Sequence, residues 1–172
     1  MVWIYVAGAI VVLLGFSVFF GAPYVPSRRR DLTRMFDNLY PLSTSDVVID
    51  VGSGDGVILR EASRRGAKAI GYEISPLLVG ISKWLSRHDD KVTVSMANFW
   101  QATFPEETTV IYAFSVERDA NKLQKKIQNE ANRLQKPLTL ICYGSPLPKI
   151  KALRTFEAYH LYQFYPLQGT KA

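Results

Sequence analysis

A run of six residues, Asp46 to Val51 (DVVIDV), leads directly into Gly52-Ser53-Gly54-Asp55-Gly56. No other stretch constrains the chain as tightly. A short, continuously apolar run after the polar turn Ser43-Thr44-Ser45 reads as a strand buried on both faces. Three glycines at steps of two then force a tight turn. The next segment, Val57 to Arg65, has helical character and stops at Gly66. A buried strand, a glycine turn and a helix are the opening half of a βαβ unit.

The same alternation continues. Lys68 to Glu73 (KAIGYE) reads as a second strand, and Ser75 to Arg87 as a helix with Pro76 in its first turn. The apolar positions Leu77, Leu78, Ile81, Trp84 and Leu85 fit one face of that helix. Lys91 to Ala97 and Thr108 to Phe114 read as the third and fourth strands. Ala120, Leu123, Ile127, Ala131 and Leu134 repeat at helical steps between Glu117 and Gln135. Leu138 to Tyr143 makes a fifth strand, ended by Pro146 and Pro148. The Tyr- and Phe-rich tail from Arg154 to Tyr165 supplies one or two more. The expected class is α/β, a Rossmann-like parallel sheet with helices on both faces. Ligands of such sheets sit at the carboxyl ends of the strands, near the point where strand order reverses.

The charge distribution sets a second constraint. All 21 Lys and Arg and all 15 Asp and Glu lie at or beyond Arg28. Val2 to Ala22 is uncharged and, as a helix, would span about 31 Å, the thickness of a bilayer's hydrocarbon core. The expected division is a transmembrane anchor over 1–22, a connecting segment with a first helix over 23–45, and the α/β domain over 46–172. A core helix is the less favoured alternative, because a domain this small rarely hides an all-round apolar helix. A cleaved signal peptide is disfavoured by the missing basic start and the long apolar stretch. Arg28, Arg29, Arg30 and Arg34 come after the run and place the domain on the cytoplasmic side.

The loops carry the chemistry. The spacing G-x-G-x-G differs from the dinucleotide fingerprint G-x-G-x-x-G, which needs glycine at Val57. Asp50 and Asp55 flank the loop and would repel a pyrophosphate, but they suit a ligand with a cationic end. Glu73 closes the second strand, where its carboxylate would accept hydrogen bonds from ribose hydroxyls. Asn98 is either a turn residue or a partner for an adenine edge, and Phe99 and Trp100 beside it either stack or pack. His88 reads as a surface residue and His160 as packing. Cys142 reads as a buried small hydrophobe. One Cys and two His make a structural zinc site improbable. Lys122, Lys125, Lys126, Arg133 and Lys136 read as a solvated helix face, with attraction to anionic lipid as the alternative. The +6 net charge comes with no nucleic-acid motif, so no nucleic acid or metal partner is expected.

VVIDVGSGDG and GYE resemble the first and second motifs of class I S-adenosylmethionine-dependent methyltransferases. Pro23-Tyr24-Val25-Pro26-Ser27, GYEISPLLV, Asn98-Phe99-Trp100 and a helix containing KLQKKI occur in an order similar to a small membrane-anchored methyltransferase family. That family includes the mitochondrial lysine methyltransferases of the ATP synthase c-subunit and the adenine nucleotide carrier. The resemblance covers roughly residues 1 to 148. It implies S-adenosyl-L-methionine as cofactor, held by Asp50, Gly52, Ser53, Gly54, Gly56, Glu73, Asn98 and Phe99. It also implies a protein lysine, on a membrane-associated protein, as acceptor. Two prolines fix the Pro23 to Ser27 segment, which is expected to cover the cofactor's methionine end with Tyr24 as lid and Ser27 as donor. The chain departs from the family at Asn98, where an acidic residue is usual, and at Tyr112-Ala113-Phe114-Ser115, where F-G-x-P is usual. Tyr112 and Glu117 are the candidates for orienting the acceptor amine. The N/D-P-P-Y/F loop of adenine- and glutamine-directed enzymes is replaced by Phe114-Ser115-Val116-Glu117. The expected function is a membrane-anchored methyltransferase. The alternatives are a cofactor-binding membrane protein without activity, or an enzyme for RNA or a small molecule.

Overall fold

The computed structural model describes residues 3–5, 8 and 29–167. The transmembrane anchor and the Tyr24 and Ser27 lid expected from the sequence lie outside these, apart from Trp3, Ile4, Tyr5 and Gly8. No helix among the described residues is long and apolar enough to cross a membrane.

The elements run α1 (Arg29–Asn38), β1 (Val47–Val51), α2 (Val57–Arg64), β2 (Lys68–Glu73), α3 (Pro76–Leu85), β3 (Val92–Met96), β4 (Val110–Ser115), α4 (Glu117–Leu134), β5 (Leu138–Gly144), β6 (Arg154–Phe156) and β7 (Tyr159–Phe164). They form one sheet in the order β3-β2-β1-β4-β5-β7-β6. The first five strands are parallel. The aromatic tail makes two further strands, as expected, and β6 and β7 form a hairpin added antiparallel to β5. Only two residues separate them, too few for the crossover that a parallel pair needs.

Every residue of β1 is buried, which is why the strand reads as a continuous apolar run rather than an alternation. On one face of the sheet, Leu32, Met35 and Phe36 of α1, Ile58, Leu59 and Ala62 of α2 and Val79 of α3 share a core with Val48 and Tyr112. On the other face, Ala120, Leu123, Ile127 and Ala131 of α4 pack with Phe104, Ile111 and Leu140. Strand order reverses between β1 and β4, so their carboxyl ends open the crevice where ligands of such sheets bind.

Helix α3 is turned around relative to its sequence pattern. Its buried residues are Val79 and Ser82, whereas Leu77, Ile81 and Leu85 are about two-fifths exposed and Trp84 is 63% exposed. The reason is close approach. A Cβ on Gly56 would lie 2.2 Å from the Ser82 hydroxyl. The helix therefore reaches the glycine loop only through its small residues, and its bulky face points to solvent.

The basic stripe of α4 is solvated in part, with Lys122, Lys125 and Arg133 exposed, but most of it also has protein partners. Lys126 donates to the Ala102 carbonyl at 2.5 Å and pairs with Glu130 at 2.9 Å. Arg133 holds Glu130 at 2.7 Å and the Phe104 carbonyl at 2.5 Å, while Lys136 donates to the carbonyl of Glu106. Lys122 sits 4.1 Å from the Trp100 ring centroid. These cations clamp the segment between β3 and β4. That segment has no regular structure of its own, and its carbonyls need donors.

Candidate functional site

The glycine loop owes its shape to backbone that other residues avoid. Gly52, Gly54 and Gly56 have φ of 82°, 54° and 79°, in the left-handed region where a side chain costs about 1–2 kcal/mol. The Gly52 and Ser53 amides donate to the Tyr72 carbonyl at 2.9 and 3.1 Å, tying the loop to the end of β2. Gly71 makes that approach possible. A Cβ there would meet the Ser53 hydroxyl at 2.5 Å and a Leu59 methyl at 2.6 Å. Sequence reasoning misses Gly71, although a lone glycine inside a strand is a signal of close packing.

Glu73 lies beneath the loop and is only 7% exposed. One carboxylate oxygen accepts the Gly54 amide at 2.9 Å. The other accepts the amides of Ile74 and Ser75, both at 2.8 Å. Three of about four lone-pair positions are thus taken by backbone. The expectation from sequence is a carboxylate free for both ribose hydroxyls. The geometry instead leaves Glu73 room for one more donor and gives it a second task, fixing the loop.

Asp50 is 2% exposed, and its Oδ2 has no hydrogen-bond partner. Burial pushes its pKa well above the carboxylate range, and the charges of Glu73 and Asp55 push it further. Ser53, next to the loop's first glycine, also keeps its hydroxyl buried without a partner. Asp55 is different. Arg60 donates to its carbonyl at 2.5 Å and meets its carboxylate at 3.4 Å. From sequence, Asp50 and Asp55 act together to repel phosphate; the Arg60 contact shifts that role mainly to Asp50 and Glu73.

The third wall comes after β3. The Asn98 side-chain oxygen accepts the Trp100 amide at 3.1 Å, which makes it a turn residue while its NH₂ group stays available as a donor. The Phe99 and Trp100 rings are 4.1 Å apart. Ile74, directly after Glu73, is 37% exposed. It is invisible to sequence reasoning, since a single isoleucine after a strand carries no pattern.

The far side of the crevice is built of rings. Phe114 of β4 lies 5.9 Å from Tyr143 of β5, Tyr143 lies 4.8 Å from Tyr159 of β7, and Tyr159 lies 6.5 Å from Tyr112. Tyr112 is 3% exposed and hydrogen-bonds with Tyr159. Burial, together with the charges of Tyr143, Asp31 and Glu157, pushes the Tyr159 phenol up to about 12 despite that bond. Tyr112 therefore sits inside the core, and Glu117 is exposed on the first turn of α4. The Ser115 hydroxyl ends β4 buried and without a partner. Its carbonyl would lie 2.8 Å from a Cβ on Gly144, so β5 must end in glycine there.

The whole arrangement has one buried carboxyl without a donor, one carboxylate bonded to backbone, and a positive-φ glycine cradle between them. It suits a ligand with a cationic or hydroxyl-bearing end and disfavours one with phosphates. Comparison with known proteins agrees with that choice. The family model described as "ANTKMT methyltransferase domain" matches residues 50–153. The ATP synthase c-subunit lysine N-methyltransferase of Xenopus laevis is 31% identical over 129 residues, covering 73% of this chain and 54% of that protein. Its Homo sapiens counterpart is 29% identical, covering 73% and 53%. The chain thus spans about half the length of the curated relatives it matches. Among solved structures, an RNA methyltransferase from Salinibacter ruber in complex with S-adenosyl-L-homocysteine superposes with a TM-score of 0.72 at 24% identity. The match covers 86% of this chain and 98% of that one, a likeness of fold.

Proposed function

We propose, starting from the fact that the chain belongs to the ANTKMT methyltransferase domain family, that it is an S-adenosylmethionine-dependent methyltransferase acting on lysine of a membrane-associated protein. The observation that carries this reading is the orphaned Asp50 carboxyl beside a glycine loop whose geometry Glu73 maintains. The ligand's ammonium would supply the donor that Asp50 lacks. A ribose hydroxyl would take the last lone pair of Glu73. Ile74 and Phe99 offer apolar faces to a base, and the Asn98 NH₂ a donor to its edge.

Bound in this crevice, S-adenosylmethionine supplies a methyl group made electrophilic by its sulfonium. The chain's own share is positioning and exclusion of water. Phe114 and Tyr143 form an apolar approach to the crevice. A lysine entering there loses hydration, which lowers its pKa from a reference near 10.4 and favours the neutral nucleophile. The Tyr159 phenol stays protonated throughout the physiological range, so Tyr159 acts through shape and hydrogen bonds rather than as a base. Glu117 is the exposed group that would meet the acceptor's surroundings.

The location belongs to the same proposal. Val2 to Ala22 would anchor the chain, and the four arginines from Arg28 to Arg34 would keep the domain on the cytoplasmic side. Membrane proteins with lysines near the interface are then the reachable substrates. Purified protein incubated with labelled cofactor and membrane extract should label a protein at lysine. Label in RNA or in a small molecule would move the assignment to another acceptor. Binding of S-adenosylhomocysteine with no transfer to any fraction would favour a non-catalytic binding protein.

A further inference from the structure

We propose that the outward face of α3 is a membrane-docking surface that lies in the headgroup region of an anionic bilayer. This rests on the membrane-tether reading of Val2 to Ala22 and adds to it a second, independent contact.

The face is unusual for a helix beside a ligand crevice. Leu77, Ile81, Trp84 and Leu85 all project outward, and Leu77, Ile81 and Trp84 line a shallow apolar groove with Pro76 and Gly80. The close approach of Ser82 to Gly56 fixes that orientation, so the helix cannot roll its bulky side inward. The charges around the face complete the pattern. Lys83 and Arg87 flank it, with the Arg87 guanidinium 4.9 Å from the Trp84 ring centroid. Among the described residues neither forms an ion pair with a carboxylate. Bulky apolar groups ending in an exposed tryptophan and bordered by cations are the composition of a helix that lies in a membrane interface.

Charge on the whole layer points the same way. Helices α1, α2 and α3 cover one face of the sheet. Residues 29–38, 57–65 and 76–87 carry eight Arg and Lys against three carboxylates. Of those three, Glu61 is buried against Arg29, Arg64 and Arg65, and Asp37 is paired with Arg65. Arg34 and Arg60 are paired as well, with Glu157 and Asp55. Among the described residues, the cations of this layer without an ion pair are therefore Arg30, Lys83 and Arg87. The last two border the apolar face, a pattern complementary to anionic headgroups over hydrocarbon.

Reach is satisfied. Pro23 to Arg28 is six residues, at most about 21 Å. Helix α1 contacts α2, and both share a core with α3 on the same face of the sheet. A domain tethered at the start of α1 can lay α3 on the same surface. Since α3 begins directly after Glu73 and Ile74, docking would hold the mouth of the crevice beside the membrane.

The test uses the full chain in vesicles of phosphatidylcholine and phosphatidylserine. Spin labels are placed at Ile81→Cys and, as a reference on the opposite layer, at the exposed Lys125→Cys. Cys142 is buried and stays unlabelled. Docking predicts that the Ile81 label collides with oxygen several-fold more, relative to a water-soluble nickel complex, than the Lys125 label does. An Ile81 label as aqueous as the Lys125 label, in protein that resists carbonate extraction, overturns the docking and leaves the tether standing. Extraction of the chain by carbonate overturns the tether, and this proposal with it. An Ile81 label shielded from both reagents overturns it in favour of a second copy of the chain covering the face.

Discussion

The two sides of the crevice are built by different means. On the β1–β2 side, polar groups are locked by backbone: three amides converge on Glu73, two more fix the loop to the Tyr72 carbonyl, and three glycines hold positive φ. On the β4–β5 side the wall is made of rings, with Phe114, Tyr143, Tyr159 and Tyr112 in sequence. Backbone-locked polar groups hold one ligand in one pose, because displacing any of them strands a buried donor. Rings offer area with little directional demand. A site of this kind fixes its cofactor tightly and leaves acceptor choice to shape and to what the membrane brings within reach.

The sharpest way to break this comparison is Glu73→Ala. It leaves the Gly54, Ile74 and Ser75 amides without their acceptor, two of them buried, at about 3–6 kcal/mol in total. Denaturant unfolding should show that loss even without ligand, and calorimetry should find no S-adenosylhomocysteine binding. A variant as stable as wild type that merely binds more weakly would make Glu73 a ligand contact alone. Next comes Gly56→Ala. The positive φ and the contact with Ser82 together cost about 2–4 kcal/mol, read as a fall in melting temperature. An unchanged melting temperature would mean α3 is free to move away from the loop, and its outward face would then need another explanation.

The contrast between the two sides also explains what is legible in the sequence. The glycine loop, the acidic end of β2 and the order of strands are local patterns, so their placement comes from residues a few positions apart. Glu73 is recognisable as functional, but not as the loop's anchor, because amides that converge from Gly54 and Ser75 leave no mark in composition. Asp55 looks like a free carboxylate until Arg60, one helical turn on, turns back to it. Periodicity assigns both the stripe on α3 and the cations of α4. The structure reverses the first and only part of the second, since Lys126, Arg133 and Lys136 bond carbonyls while Lys125 stays on the solvated face. Periodicity says which residues share a face and not which face is covered. That is decided by Gly56 against Ser82, 26 positions apart, and by the carbonyls of Ala102 and Phe104 waiting for donors. Gly71 is readable in principle as a lone glycine in a strand.

Asp50→Asn sharpens the comparison with effects of opposite sign. The wild-type carboxyl has its folded-state pKa raised by burial and by its acidic neighbours. The stability it contributes is complete below its unfolded value near pH 4 and is lost as pH rises through the raised one. Asparagine cannot ionise, so the ligand-free variant should exceed wild type in melting temperature by a margin that grows with pH over that window. The same change removes the charge that meets the ligand's ammonium and should weaken binding about ten- to a hundredfold. Losing both margin and affinity at neutral pH would show that Asp50 is already paired in the free protein.

The smallest effects belong to the ring side, and Tyr159→Phe measures them. The hydroxyl bonds Tyr112 inside the core, so its removal should cost about 1 kcal/mol of stability. Affinity for S-adenosylhomocysteine should not change, since β7 lies beyond β5, away from the glycine loop. The informative measurement is the pH dependence of methyl transfer. A phenol pushed up to about 12 does not titrate in the neutral range. If the tyrosines act by shape, the profile over that range keeps its midpoint in the variant while the rate falls modestly. If the rising limb moves or disappears, Tyr159 is exchanging protons with the acceptor. The ring side would then be chemical machinery and not a passive wall, and the contrast between the two sides would have to be redrawn with Tyr112 and Tyr159 as a coupled base.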